Sequence, residues 1–184
     1  MKKSSVLTLI LLSVSSYAFG QNGFGRTQST AQNKWKSFSD KGYTIQYPGN
    51  WDMDTTQQMG TSFIIFSKPT GPDDHFRENV NLLIQDLSGK NINLDKYVKI
   101  SEEQIKTAIV NGKLLNSKRY TSANGRQYQK VIFLGDQGMF KLKFEQYYFV
   151  ERGKAYVLTL TCEADKFDSY KETGEKILNS FSMR

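Results

Sequence analysis

The sequence has few of the residues that form disulfides, bind metals or act as nucleophiles and bases, since its 184 residues include one cysteine and one histidine. A single cysteine, Cys162, cannot form a disulfide within the chain, so stability must come from packing. The same count excludes a lipoprotein signal, which needs a cysteine at the cleavage point. No glycine-rich phosphate loop is present. These absences argue against an enzyme and against a bound cofactor.

A hydrophobic run long enough to span a membrane is also missing. The apolar stretch from Val6 to Val14 covers about nine residues, whereas a transmembrane helix needs about twenty. It follows the basic start Met1-Lys2-Lys3 and precedes the small residues of Ala18-Phe19-Gly20, a pattern typical of a secretory signal peptide. The sequence therefore predicts an exported protein, periplasmic or extracellular, without a stable membrane span.

The chain divides into three parts. We predict a signal peptide over residues 1–20, a flexible polar tether over 21–34 and one folded domain over 35–184. Loss of residues 1–20 would remove Lys2 and Lys3 and lower the formal net charge from +7 to +5. A modest positive charge favours weak contact with anionic surfaces such as acidic proteins, phospholipid head groups or polyanionic glycans. Nucleic acid is not expected as a partner, because no recognition motif accompanies the scattered basic residues.

The strongest periodicity runs from Met139 to Cys162. Apolar residues recur at every second position on both sides of a short connector that ends in Gly153, where a positive φ is tolerated. This pattern predicts one long antiparallel hairpin at the centre of a sheet. A second hairpin is indicated by Asn124-Gly125, which is typical of a two-residue turn.

Two amphipathic helices flank the strands. The first is predicted over residues 94–109, with Asn93 as its N-cap. For the second, Asp165 is the predicted cap and Asp168 occupies the capping-box position. Gly174 would let that helix approach the sheet closely. The element order predicts an α+β fold, an antiparallel sheet of about six to eight strands covered by two main helices.

Several segments, taken in order over residues 36–182, resemble the PsbP/DcrB superfamily. The segments that carry the resemblance are Tyr43-Thr44-Ile45-Gln46-Tyr47-Pro48-Gly49-Asn50-Trp51, Asn79-Val80-Asn81-Leu82, the helix start from Leu94 to Tyr97, Lys154-Ala155-Tyr156-Val157-Leu158-Thr159, Phe167, and Ile177-Leu178-Asn179-Ser180-Phe181. The resemblance implies a PsbP-like α/β/α sandwich and a non-catalytic module for protein binding or assembly. Its implied partner is another envelope protein. The metal-associated histidines of some PsbP proteins have no matching motif in this sequence.

A polar loop over residues 68–77 contains the cluster Asp73-Asp74-His75. Adjacent loop residues cannot all point at one ion, so we predict a solvated loop and no metal site. His75 could titrate near neutral pH and tune a contact with a partner docked on this loop. The predicted interaction surface comprises Asp73, Asp74, His75, Arg77, Lys141 and Lys143.

The remaining candidates for chemistry are weak. Cys162 shares an alternating face with Leu158 and Leu160, which predicts a small core residue and not a nucleophile. Glu102 and Glu103 are sequence neighbours that point about a hundred degrees apart on a helix, so they cannot act as an acid and base pair.

The many aromatic residues leave two interpretations open. Helices could cover both faces of the sheet, or one row of rings could line a pocket. The second interpretation gives an alternative function, a carrier of a lipid or other apolar ligand, with Phe140, Phe144, Tyr148 and Tyr156 around the cavity.

Overall fold

The structure of the chain is a computed structural model that describes residues 34–40 and 42–184. The predicted signal peptide over residues 1–20, and the predicted tether apart from Lys34, lie outside these residues. The strands are β1 (Trp35–Asp40), β2 (Tyr43–Pro48), β3 (Asp52–Asp54), β4 (Thr61–Phe66), β5 (Asn79–Asp86), β6 (Lys113–Thr121), β7 (Gln127–Gln137), β8 (Phe140–Glu151), β9 (Lys154–Glu163) and β10 (Ser182–Met183). The helices are α1 (Leu94–Ala108) and α2 (Phe167–Asn179), with a short 3-10 helix over Gln58–Gly60.

Seven strands form one antiparallel sheet in the order β3-β4-β5-β9-β8-β7-β6. The predicted long hairpin is β8 with β9, and β9 is the central strand. Glu151 pairs with Lys154 across a turn in which Arg152 and Gly153 have φ of 50° and 71°. Two successive positive φ angles match the right-handed twist of a hairpin. The predicted antiparallel sheet covered by two helices is confirmed.

The remaining strands form a second sheet of three strands in the order β1-β2-β10. The sequence pattern does not predict it, because β10 is only two residues long and carries no readable period. Ser182 pairs with Thr44 and Met183 with Tyr43. The C-terminal end of the chain therefore joins the first hairpin of the domain.

Each face of the large sheet is covered by its own hydrophobic core. The core beneath α1 includes Tyr97 and Ile105 from the helix and Phe133, Phe144 and Tyr148 from the sheet. The core beneath α2 and the second sheet includes the buried residues Tyr43, Ile45, Phe63, Leu82, Tyr147, Leu160, Cys162, Ile177 and Leu178. Both faces of β8 and β9 are thus buried, so neither face of the long hairpin is a solvent face.

The second helix starts differently from the prediction. Lys166 is the N-cap residue, and no side chain of this residue caps the first turn. The assignment of Asp165 as the cap is therefore wrong, because the chain between β9 and α2 forms a turn through Lys166. Gly174 has the predicted role: a Cβ atom there would lie 2.4 Å from Leu160 Cδ2. The missing side chain lets α2 pack directly on β9.

The hairpin between β6 and β7 also differs in detail. The Ser122 amide donates to the Arg126 carbonyl at 2.8 Å, so the loop contains the three residues 123–125 and not two. Gly125 has a φ of 80°, as expected for the last residue of a three-residue hairpin loop.

Within the residues described, no helix is both long enough and apolar enough to cross a membrane.

Candidate functional site

Four connections meet at one end of the large sheet, which we call the loop end. They are the β4–β5 loop (67–78), the α1–β6 connection (109–112), the β7–β8 turn (138–139) and the β9–α2 turn (164–166). The rings of Phe76 and Phe140 lie 5.1 Å apart and join the β4–β5 loop to the start of β8. The Asp136 amide donates to the Val110 carbonyl at 2.8 Å and holds the α1–β6 connection against β7. The residues predicted as an interaction surface all lie at this end.

Asp74 anchors the β4–β5 loop from inside. Its side chain is 3% exposed. The carboxylate accepts from the Thr70 amide at 2.8 Å, from Thr70 Oγ1 at 3.1 Å and from Lys166 Nζ at 3.0 Å. Burial alone would raise the pKa of Asp74, but the hydrogen bonds from Thr70 and Lys166 outweigh it and hold the pKa below its ordinary value. Because Lys166 also pairs with Glu163, the loop is fastened to the β9–α2 turn.

Arg77 fastens the other side of the loop. Its Nε donates to the Ser67 carbonyl at 2.7 Å, and Nη2 donates to Asp52 Oδ2 at 2.5 Å. Lys68 pairs with the second oxygen of Asp52. Burial works to raise the pKa of Asp52, but these two cations outweigh it and lower the pKa. Arg77 and Asp74 therefore shape the loop, and their charged groups are already engaged within the domain.

The other four members of the predicted surface differ in how far they are exposed. Asp73, His75 and Lys141 are exposed. Lys143 is half-buried, with Nζ 4.1 Å from the ring centroid of Phe167 and 3.9 Å from the Asp168 carboxylate. Fewer than six of the residues in the predicted surface are therefore accessible to a partner.

Two apolar residues that the sequence reasoning missed complete this surface. Met139 is 86% exposed and Val110 is 66% exposed. Each lies beside a glycine-containing turn signal, Gly138 for Met139 and Asn111-Gly112 for Val110, but an apolar residue at a turn is too common to identify a surface from sequence. We define the loop-end patch as Asp73, His75, Val110, Met139 and Lys141.

A buried acid, Glu78, lies at the base of the β4–β5 loop. It is 0% exposed. The Ser67 amide donates to its carbonyl at 2.8 Å, and Ser67 Oγ donates to Oε2 at 3.3 Å. No hydrogen-bond partner of Oε1 is found among the residues that the structure describes. Burial raises the pKa of Glu78 above its ordinary value. The alternation that includes Val80 and Leu82 places this residue on an inward face, a signal that its charge concealed.

Glu78→Gln is expected to stabilise the domain at neutral pH. A carboxyl whose pKa is raised on folding binds its proton more tightly in the folded state, so stability falls as pH rises from the unfolded value of 4.5 through the raised folded value. The variant should melt a few degrees above the parent at about pH 7 and at the same temperature at about pH 4. Circular dichroism melts at both pH values, with Glu103→Gln on the exposed side of α1 as control, measure this. Equal differences at both pH values would contradict it.

The predicted core role of Cys162 is confirmed. The residue is 0% exposed and belongs to the core beneath α2. Burial raises the pKa of its thiol, so the reactive thiolate is suppressed. Among the residues that the structure describes, no group of three or more His, Cys, Asp or Glu side chains is arranged to hold a metal ion.

The rings proposed to line a cavity do not share one space. Phe140, Phe144 and Tyr148 belong to the core beneath α1, whereas Tyr156 packs against the core on the opposite face of the sheet. Phe144 stacks on Phe133 with ring centroids 4.7 Å apart. The sheet therefore separates Tyr156 from the other three residues.

Together these features define a class, an α+β sandwich with a helix on each face of an antiparallel sheet. The chain belongs to the PsbP family, whose profile matches residues 33–183. No curated protein sequence matches the chain significantly.

Three solved structures are similar over most of their length. Cyanobacterial PsbP (CyanoP) from Synechocystis sp. PCC 6803 has a TM-score of 0.61 at 17% identity, with 87% of this chain and 98% of that chain covered. PA94 of Pseudomonas aeruginosa, a protein of unknown function described as a putative regulator, has a TM-score of 0.59 at 13% identity and coverages of 82% and 97%. LpqN of Mycobacterium tuberculosis, involved in cell envelope biogenesis, has a TM-score of 0.55 at 13% identity and coverages of 82% and 92%. At these identities the likeness establishes the fold.

Proposed function

We propose that this domain is a non-enzymatic interaction or assembly module of the cell envelope, and that it docks another envelope protein through the loop-end patch. The observation that carries the proposal is the exposure of Met139 and Val110 at the end of the sheet where the predicted interaction residues meet. Exposed apolar side chains at the same end of a sheet as exposed charged residues have the character of a docking surface. Methionine suits such a surface, because its flexible side chain adapts to a partner.

The loop behind the patch is held in place before any partner binds. Asp74 and Arg77 tie the β4–β5 loop to the β9–α2 turn and to β3. Ordering a loop costs free energy on binding, so a loop already ordered leaves more of the contact energy for affinity. The ion pairs around the loop thus support recognition by holding the segment that carries Asp73 and His75 at the loop end.

Export and the envelope setting rest on the predicted signal peptide over residues 1–20 and on the family. One structural relative, LpqN, is involved in cell envelope biogenesis. The alternative function, an apolar-ligand carrier, receives less support, because Tyr156 lies on the opposite side of the sheet from Phe140, Phe144 and Tyr148.

Site-specific photocrosslinking in living cells tests the docking surface. A photoreactive phenylalanine analogue is placed at Met139, at Lys141 or, as the control, at Met59. Met59 is 43% exposed and lies in the β3–β4 connection, at the opposite end of the sheet. We expect the same discrete protein adduct from positions 139 and 141 and no such adduct from position 59.

Failure would take a clear form. Adducts that are equal at all three positions, or absent at 139 and 141, would contradict the loop-end patch as the docking surface. Native mass spectrometry of the protein purified from its source addresses the alternative, since a bound apolar molecule in that preparation would favour the carrier.

A further inference from the structure

The strand β6 is one edge of the large sheet. It is nine residues long, and among the strands that the structure describes it pairs with β7 alone. The register is interrupted between Leu114 and Asn116 and is regular from Asn116 to Thr121. In an antiparallel strand every second residue directs its N–H and C=O groups away from its partner, so this six-residue segment offers unpaired backbone groups at the sheet edge.

The sequence segment that contains β6 has basic residues and no acidic ones. Residues 104–135 contain no Asp or Glu, while six positions are basic: Lys106, Lys113, Lys118, Arg119, Arg126 and Lys130. Acids elsewhere in the fold pair with the last three of these. Lys113 and Lys118 lie exposed on β6, and no ion pair found in the described part of the chain includes either of them.

Exposed apolar groups accompany this charge. Leu115 is 44% exposed and Tyr120 is 38% exposed, and both belong to β6. The Tyr120 ring stacks on Tyr128 with centroids 5.7 Å apart, and Lys118 Nζ lies 5.5 Å from the Tyr120 centroid. Because these contacts already orient Tyr120, a partner can pack on its ring without first ordering it.

We propose that β6 accepts an extended acidic segment of a partner protein as an additional antiparallel strand. Backbone pairing along the six regular residues would supply affinity, and Lys113 and Lys118 would select acidic side chains. This second docking surface shares no residue with the loop-end patch and goes beyond the proposed function.

The lysines on β6 also disfavour binding of other partners at this edge. Lysines and a bulge on an edge strand normally prevent two copies from pairing, and a second copy would oppose β6 lysines with β6 lysines. An acidic strand would instead be attracted to these lysines. The charges therefore disfavour pairing of two copies and favour pairing with an acidic segment. A polyanion without a peptide backbone could satisfy the lysines but not the unpaired N–H and C=O groups.

Binding of synthetic peptides to the purified domain tests the proposal. The probe is a fluorescent peptide of about eight residues that alternates Glu with Val, long enough to span the regular segment. Its controls are a peptide that alternates Lys with Val and a Glu-Val peptide methylated at every backbone nitrogen, which keeps the charge but has no N–H group with which to pair as a strand. Fluorescence anisotropy measures affinity, and hydrogen exchange locates protected amides.

We expect saturable binding of the unmodified acidic peptide alone, with slowed exchange of amides in residues 116–121. Lys118→Glu should weaken binding about tenfold, whereas Lys171→Glu, at an exposed position on α2, should leave it unchanged. The proposal is overturned by a dissociation constant weaker than about 1 mM, by equal binding of the methylated peptide, or by protection confined to another part of the domain. Photocrosslinking at Met139 is unaffected by any of these results, so the two docking surfaces stand or fall separately.

Discussion

Replacement of Lys130 by methionine will lower the free energy of unfolding by about 3 kcal/mol. Lys130 Nζ lies 2.7 Å from Glu145 Oε1 and 2.5 Å from Glu175 Oε1. The Glu145 side chain is 0% exposed, and burial raises its pKa even with Lys130 present. Without the cation, a buried carboxylate remains close to a second acid and has no charge partner. Urea unfolding at neutral pH, followed by tryptophan fluorescence, measures the loss.

Matched variants separate the ion pair from the loss of a lysine as such. Lys130→Met combined with Glu145→Gln should recover most of the stability, because no charge is then buried alone. Lys118 faces Lys130 across the β6–β7 register. Since Lys118 is exposed, Lys118→Met should change stability by less than about 0.5 kcal/mol. A single Lys130→Met variant as stable as the Lys118→Met control would contradict the buried pair.

Phe144→Ala and Leu160→Ala, on opposite faces of the central hairpin, will each destabilise the domain by about 3 kcal/mol or more. Phe144 is 2% exposed in the core beneath α1, and Leu160 is 0% exposed in the core beneath α2. Both truncations leave a cavity in a packed interior. Thermal and urea unfolding measure the two losses.

The control for these truncations is Met139→Ala, which removes an exposed side chain and should be within about 0.5 kcal/mol of the parent. The pair is informative because the two residues report on different cores. If only one truncation destabilised the domain, the description of β8 and β9 as strands buried on both faces would be wrong.

The long hairpin and the first helix could be predicted because their periods extend over many residues. The pattern from Met139 to Cys162 repeats at every second position for two full strands, and β8 and β9 follow it closely. The first helix, predicted over residues 94–109, is observed as Leu94–Ala108, with Asn93 accepting a hydrogen bond from the Lys96 amide at 3.0 Å. When a local pattern extends over many residues, contacts distant in sequence rarely change the secondary structure that it predicts.

The burial of Glu145 could not be predicted in the same way. An alternating strand places Glu145 opposite Phe144, which normally indicates a solvent face. Here α2, which is far away in the chain, covers that face, and its Glu175 shares Lys130 with Glu145. The burial of Glu145 is therefore a property of long-range assembly and carries no local signal.

The sequence predicted the location of the candidate site better than the roles of its residues. Sequence order placed Asp74 and Arg77 in the same loop as Asp73 and His75, but only the fold shows that the first two bind within the domain. Met139 was missed because single apolar residues at turns are common and usually carry no information. Its meaning comes from the neighbouring connections at the same end of the sheet.

The most direct test of the account compares Met139→Asp with Met59→Asp in recovery of the partner from crosslinked cells. Both changes put a charge on an exposed methionine, so neither should alter the melting temperature. The account predicts that Met139→Asp loses the partner that the parent protein recovers, while Met59→Asp keeps it. Equal recovery by the two variants, with both folded, would contradict the assignment of docking to the loop-end patch.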